Sequence, residues 1–307
     1  MPRLGAHMSI AGGLPRAVER AALHGCEALQ IFTKSAGQWR ARPLPADEVR
    51  AFRRRLDETG ITPAVAHASY LINLAARDGS LRAQSAGALV EELERADALG
   101  LAGVVLHPGA STVGDEAGGL QRIGHALVAV LRARPRGRAR VLLEHTTGRG
   151  TLLGSTFEQL ARVIELLDGS PRVGVWLDTC HLLAAGYDIV SETGYKDVFD
   201  WFHRAIGFDR LCGFHLNDSK APLGSRIDRH EHIGKGQLGL GPFRRLLNDR
   251  RFAGLPMLLE TPKTDRIART SVALDALDVA NLRTLRDLMA SRPDHAGWKR
   301  TGTKAEP

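Results

Sequence analysis

The stretch RVGVWLDTCH, from Arg172 to His181, packs Val173, Val175, Trp176 and Leu177 into five residues and then breaks into Asp178, Thr179, Cys180 and His181. A short apolar run without polar alternation suits a strand buried on both faces, as in a parallel sheet. Working outward, seven other runs have the same form. They are RLGAHMSI (Arg3–Ile10), ALQIFTK (Ala28–Lys34), TPAVAHASY (Thr62–Tyr70), AGVVLHPG (Ala102–Gly109), RVLLEHT (Arg140–Thr146), LCGFHLND (Leu211–Asp218) and PMLLETP (Pro256–Pro262). The segments between them carry apolar residues at three- and four-residue spacing, the mark of amphipathic helices. These are Leu14–His24, Ala46–Thr59, Leu81–Leu99, Leu120–Arg134, Thr156–Leu167 and Asp265–Met289, with a shorter one at Gly241–Arg250 and another at Thr193–Ile206 after a long loop. Ser155 or Thr156 is placed to cap one helix, and Gly60 and Gly100 to end two others.

Eight strands alternating with helices predict an α/β protein with a (β/α)8 TIM barrel. An open doubly wound sheet is the alternative, but no GxGxxG follows the first run, so its dinucleotide-binding form lacks its main support. No composition break marks a second domain. Residues 1–291 are expected to form a single barrel domain, followed by a basic, aperiodic tail at 292–307.

Apolar residues make up 43% and charged residues 25% of the 307, values that suit a soluble domain with a full core. No apolar run reaches the roughly 18 residues a membrane span needs, and the N-terminus MPRLGAHMSIAGG reads as a first strand rather than a signal peptide. Three scattered cysteines, Cys26, Cys180 and Cys212, argue against a disulfide framework and for a reducing cytoplasm. A net charge of +8 is compatible with a polyanionic partner, although the excess of Arg over Lys is also what a GC-rich genome produces.

In a parallel barrel, chemistry collects at the carboxyl ends of the strands. His67, His107, Glu144, Asp178, His181, His215 and Glu260 all stand at or just beyond such ends, and Asp228 and His230 follow in the loop GSRIDRHEHIGKG (Gly224–Gly236). Each has a bland explanation. A lone histidine after a strand is usually a hydrogen-bonded core residue, Asp178 suits a helix cap, and the loop suits solvent. Taken together they converge on one cavity, where several carboxylates would repel unless cations compensated them. Carboxylate and imidazole side by side suit zinc or manganese. Nine ligands with one carboxylate bridging would serve three ions, and such clusters characteristically handle phosphate esters. His7 either lines the pocket or packs in the core. His145 should face away from Glu144, Glu231 and His232 suit the rim, and Cys180 suits a packed thiol. His24, His125, His203 and His295 read as surface or helix positions without a role.

The motifs GAHMSIAGG, FTKSAGQW, HASYLINLA, LHPG, LDTCHLLAAGYD, FHLNDSK, GSRIDRHEHIGKG and LLET resemble those of the endonuclease IV family, the zinc-dependent apurinic/apyrimidinic endonucleases of DNA repair. The resemblance covers residues 1 to 262 and implies a xylose isomerase-like barrel with three zinc ions at the carboxyl ends of its strands, manganese being able to replace one. It implies that His67, His107 and Glu144 hold one ion, that Glu144 bridges to a second completed by Asp178, His215 and Glu260, and that His181, Asp228 and His230 hold a third. Glu144 and Glu260 would be the catalytic carboxylates. The implied reaction is hydrolysis of the phosphodiester 5′ to an abasic site, leaving a 3′-hydroxyl and a 5′-deoxyribose phosphate, together with trimming of blocked 3′ ends. Lys34, Gln38, Arg40, Tyr70, Leu71 and Lys220 would contact double-stranded DNA. A monomer is expected, cytoplasmic and nucleoid-associated when on DNA.

Two positions depart from the family pattern. Gly37 stands where a basic or long polar residue usually enters the base stack, and Glu144–His145 replaces a Glu-Asn pair. Two rival readings use the same residues. A metal-dependent sugar isomerase or epimerase of the xylose isomerase-like type would need fewer ligands and no basic charge. A non-catalytic DNA-binding protein would not need all nine.

Overall fold

The computed structural model describes residues 1–264 and 271–289. Every apolar run contains a strand: β1 (Arg3–His7), β2 (Ala28–Phe32), β3 (Ala64–His67), β4 (Gly103–Leu106), β5 (Arg140–Glu144), β6 (Val173–Asp178) and β7 (Leu211–His215). A two-stranded hairpin, β8 (Asp218–Ser219) with β9 (His230–Glu231), comes next, and β10 (Pro256–Leu259) is the last strand. The eight longer strands pair in parallel and close into a barrel in the order β1-β10-β7-β6-β5-β4-β3-β2. This is the predicted (β/α)8 barrel.

Among the described residues, helices follow the strands, eight of them in the segments the spacing predicts and a short one, α6, outside them: α1 (Leu14–Leu23), α2 (Ala46–Thr59), α3 (Gly79–Leu99), α4 (Glu116–Ala133), α5 (Phe157–Glu165), α6 (Thr179–Ala185), α7 (Glu192–Ala205), α8 (Gly241–Asn248) and α9 (Ala276–Leu288). Thr156 caps α5 by accepting from the Gln159 amide, and Gly60 and Gly100 end α2 and α3 in the left-handed conformation that glycine takes without strain. The expected helix Asp265–Met289 is shorter than its periodicity suggested. The Asp275 carboxylate accepts from the Leu277 and Asp278 amides and starts the helix there, while residues 265–270 and the tail 292–307 lie outside the described residues.

The core has two parts. One lies between strands and helices and contains most of the buried Leu, Val and Phe. The other fills the barrel itself: Ala28, Val65, Val105, Leu142, Trp176 and Leu258. Trp176 spans the interior because β7 offers Gly213 opposite it, where an added Cβ would lie 2.4 Å from the indole ring. Side chains alternate along a strand, so the residue two positions on faces the same interior. Those residues are Gln30, His67, His107, Glu144, Asp178 and Glu260, with His215 two beyond Gly213 on β7 and His7 two beyond Gly5 on β1. A polar ring thus sits directly on an apolar plug.

Candidate metal centre

Glu144 stands at the centre of the ring and is fully buried. Its Oε2 lies 3.2 Å from His67 Nε2 and 3.0 Å from His107 Nε2, and its Oε1 lies 2.9 Å from His215 Nδ1. Burial alone would push this carboxyl up, but the imidazoles of His107 and His215 outweigh it and hold Glu144 well below the usual carboxylate range. His215 Nδ1 also faces Glu260 Oε2 at 3.3 Å and Asp178 Oδ2 at 3.8 Å. The ligand atoms of His67, His107 and Glu144 lie within 4.8 Å of one another, as do those of Glu144, Asp178, His215 and Glu260.

The remaining candidate ligands come from α6 and the hairpin. Asp178 caps α6 by accepting from the His181 amide through Oδ1, while its Oδ2 lies 3.8 Å from His215 Nδ1. The cap brings His181 to the ring, where its Nε2 lies 3.3 Å from Asp228 Oδ2, while His230 Nε2 lies 3.2 Å from Asp228 Oδ1. Both Nε2 atoms are buried and make no hydrogen bond despite these short separations. Ligand atoms of His181, His230 and Asp178 lie within 4.8 Å of one another, as do those of His230, Asp228 and Cys180. Burial is opposed at His67 by Glu144 and at His230 by Asp228, and each imidazole is pushed up to about 9. Three buried or half-buried carboxylates, Glu144, Asp178 and Glu260, together with five imidazoles form a donor set suited to zinc, and desolvation of so many charges is costly without a cation. The residues present therefore fit the expected metal.

The histidines outside this set sort as follows. His7 Nδ1 lies 2.9 Å from Gln30 Nε2 and 3.4 Å from Glu260 Oε1, so it lines the pocket behind the ligands. His145 faces away, its Nε2 on the Ser155 carbonyl and its ring against Phe157 and Tyr187, and burial lowers its pKa to about 3. His232 stands on the rim beside Asn281. His24, expected to be without a role, is buried: its Nδ1 meets the Arg20 carbonyl and its Nε2 accepts from the Asp275 amide, so it pins the start of α9 to the end of α1. Burial pushes the Cys180 thiol up to about 12, in keeping with a packed, protonated side chain.

Gln38 and Arg40 are exposed beside the mouth, Tyr70 is 65% exposed, and Leu71 is half-buried. Lys220 is exposed, its Nζ 3.8 Å from Glu231. Lys34 does not stand where a phosphate contact requires. Its side chain is buried, and Nζ donates to the Trp39 carbonyl at 2.7 Å and lies 3.6 and 3.8 Å from Glu91 and Glu92. Arg95 donates to the Thr33 and Arg42 carbonyls, and Thr33 Oγ1 donates to Glu92. Two buried cations thus clamp the Thr33–Arg42 loop shut, and Ser69 Oγ ties it to the Tyr70 loop through the Ala36 carbonyl.

The sequence reading missed Gln30, Asn217 and this clamp. Asn217 donates to Asp178 Oδ2 and accepts from the Glu260 amide, bracing two candidate ligands at once. Its place two residues after His215 was a usable signal, as was the position of Gln30 two residues after Ala28 in the barrel plug. The clamp had no signal, because Glu92 and Arg95 lie on α3, far away in sequence.

Fold and site together define a metal-gathering barrel, and residues 18–282 match the family model described as xylose isomerase-like TIM barrel. The chain belongs to the endonuclease IV family of metal-dependent AP endonucleases. It is 48% identical over 286 residues to a probable endonuclease 4 of Chloroflexus aurantiacus, covering 93% of this chain and 98% of the relative. The crystal structure of endonuclease IV from Thermus thermophilus superposes with a TM-score of 0.81 at 39% identity, covering 94% of this chain and 98% of that one. A D-tagatose 3-epimerase-like protein superposes with a TM-score of 0.71 at 18% identity, covering 93% and 96%, a likeness of fold alone.

Proposed function

We propose that this chain hydrolyses the phosphodiester on the 5′ side of abasic sites in duplex DNA and trims blocked 3′ ends, using three zinc ions. The observation that carries this reading is the sharing of carboxylates between neighbouring ligand groups. Glu144 belongs both to the His67–His107 group and to the Asp178–His215–Glu260 group, and Asp228 stands between His181 and His230. When bound, zinc supplies Lewis acidity toward phosphate and lowers the pKa of water to near 7. The chain's own part is to hold the ligands. Asn217 and Gln30 fix Asp178, His215 and Glu260 in place, while main-chain carbonyls fix the rings of His67, His181 and His230. Exposed Gln38, Arg40, Tyr70 and Lys220, with half-buried Leu71, form the DNA contact surface, and the charge of +8 supports a polyanionic substrate over a neutral sugar. We place the chain in the cytoplasm as a monomer, with residues 1–291 as one domain. Three free cysteines are in keeping with a reducing compartment, and no helix among the described residues is long and apolar enough to cross a membrane.

The test is elemental analysis of protein purified without added metal, followed by nicking of an abasic duplex with end-group analysis. About three ions per chain and a 3′-hydroxyl product are expected. One ion or fewer, unchanged on zinc addition, rejects the three-metal centre, and an intact abasic duplex rejects the activity.

A further inference from the structure

A histidine binds metal through a bare ring nitrogen, and the hydrogen bond made by the other nitrogen decides which one is bare. In His67, His181 and His230 the Nδ1 atom meets a main-chain carbonyl, of Ala68 at 2.8 Å, His145 at 2.8 Å and Glu260 at 3.2 Å. A carbonyl only accepts, so Nδ1 carries the proton and Nε2 faces the ring of carboxylates.

His215 is turned the other way. Its Nδ1 faces Glu144, Glu260 and Asp178, and its Nε2 lies 2.8 Å from Gln30 Oε1. Here a side chain takes the place of the main-chain carbonyl. The orientation of the Gln30 amide follows from its other end. Nε2 lies 2.5 Å from Glu260 Oε1, and a carboxylate demands a donor, so the NH2 group must be on that side. The same NH2 reaches His7 Nδ1 at 2.9 Å. With the NH2 thus placed, Oε1 has to face His215 and accept its Nε2 proton.

We infer that Gln30 is a positioning residue: held by Glu260 and His7, it fixes His215 as the Nε2–H tautomer and so presents Nδ1 as a ligand to the second ion. Gln30 is fully buried, standing in the polar ring where its neighbours are His, Asp or Glu. It acts through the two candidate ligands it touches, Glu260 and His215. The inference rests on the metal-centre reading above, because it assigns His215 a ligand's task.

The test uses the full chain and zinc itself. Gln30→Met keeps the length of the side chain and removes both the acceptor facing His215 and the donor facing Glu260. Zinc affinity is read by competition with a chromophoric chelator, and the His215 tautomer by ring 15N shifts of the zinc-loaded protein. One of the three ions should be released about 10–100-fold more readily, the usual scale for losing such a partner, while the other two remain within about twofold. Circular dichroism and melting should stay near wild type, which a general loss of structure would not allow. Unchanged competition curves overturn the assignment. Should the variant fail to fold, the wild-type spectrum still decides, since a proton on His215 Nδ1 in the loaded protein refutes the role of Gln30. A wild-type chain that binds no zinc would instead overturn the metal-centre reading from which the assignment starts.

Discussion

Replacing Lys34 with Met separates a DNA contact from an internal clamp. Lys34 Nζ is buried, donates to the Trp39 carbonyl at 2.7 Å, and faces Glu91 at 3.6 Å and Glu92 at 3.8 Å. Removing one partner of a buried ion pair costs about 3–5 kcal/mol when the other charge is left uncompensated. Here the loss is smaller. Both carboxylates lie beyond hydrogen-bond distance of Nζ, Glu91 is partly exposed, and Glu92 keeps its bond from Thr33 at 2.6 Å. The lost charge-assisted bond to Trp39 adds about 1.5–3 kcal/mol by the usual measure, less what the Met side chain recovers by packing. About 2–3 kcal/mol is the expected destabilisation. At an unfolding entropy of ~2.1 cal/mol/K per residue, that corresponds to a drop in Tm of about 3–5 °C. The loop loosens, so abasic-duplex affinity falls, but the dependence of binding on salt keeps its slope because no phosphate contact is lost. A phosphate contact would behave oppositely, reducing the slope by about 0.9 and leaving Tm near wild type. Thermal scanning and fluorescence titration across a salt series distinguish the two. A slope lower by about one with Tm shifted by less than ~1 °C refutes the clamp.

Glu144→Ala should lose more than one ion together with nicking activity, while His232→Ala, altered at the rim, should retain both; elemental analysis and the nicking assay check this. Tyr70→Ala should weaken binding to an abasic duplex by about 1–3 kcal/mol, the scale of one base–aromatic stack, and leave metal content intact; equal affinities would remove Tyr70 from the recognition surface. Gly37→Arg should strengthen that binding, since a Cβ at Gly37 meets nothing within 4 Å and its backbone lies outside the left-handed region; fluorescence titration without a gain in affinity counts against the loop as a wedge. Stepwise chelation should remove first the ion assigned to His181, Asp228 and His230, followed by zinc content against the His181→Ala variant.

The barrel was legible because each strand is an uninterrupted apolar run and each helix keeps its period, signals that are local in sequence. Seven of the nine candidate ligands stand out for a related reason, since a polar residue ending an apolar run is conspicuous, and Asp228 and His230 stand out by their crowding in one loop. What escaped was what depends on contacts between distant segments. Lys34 reads as a surface lysine in the motif FTKSAGQW, and its burial follows from Glu92 and Arg95 on α3. His24 reads as an exposed helix end, and its partner Asp275 lies 251 residues away. Gln30 carries no charge to mark it, and its importance shows once β1, β2, β7 and β10 bring His7, Gln30, His215 and Glu260 together.

The nine ligand candidates are held in two different ways, and that difference bears on how the ions should exchange. His67, Glu144, Asp178 and His215 belong to barrel strands and are buried, and His107 and Glu260 each directly follow one. Moving any of them means disturbing a ladder of parallel strands and the apolar plug beneath. Asp228 and His230 instead lie on the loop between β8 and the end of β9, and the Asp228 side chain is 41% exposed. That loop is tethered by a few main-chain bonds, from Gly224 to the Leu183 carbonyl, from Arg226 to Ala184 and from Lys220 to Arg229. The first two tethers end on α6, the buried helix that carries His181 in its first turn, so Asp228 and His230 form a movable unit on the loop while His181 stays with the barrel. Opening such a unit breaks a handful of surface hydrogen bonds, each contributing about 1 kcal/mol, whereas opening the strand-borne sites requires disrupting the barrel. A metal held by the loop and α6 should therefore exchange while the barrel stays closed, which is the physical basis for expecting it to leave first.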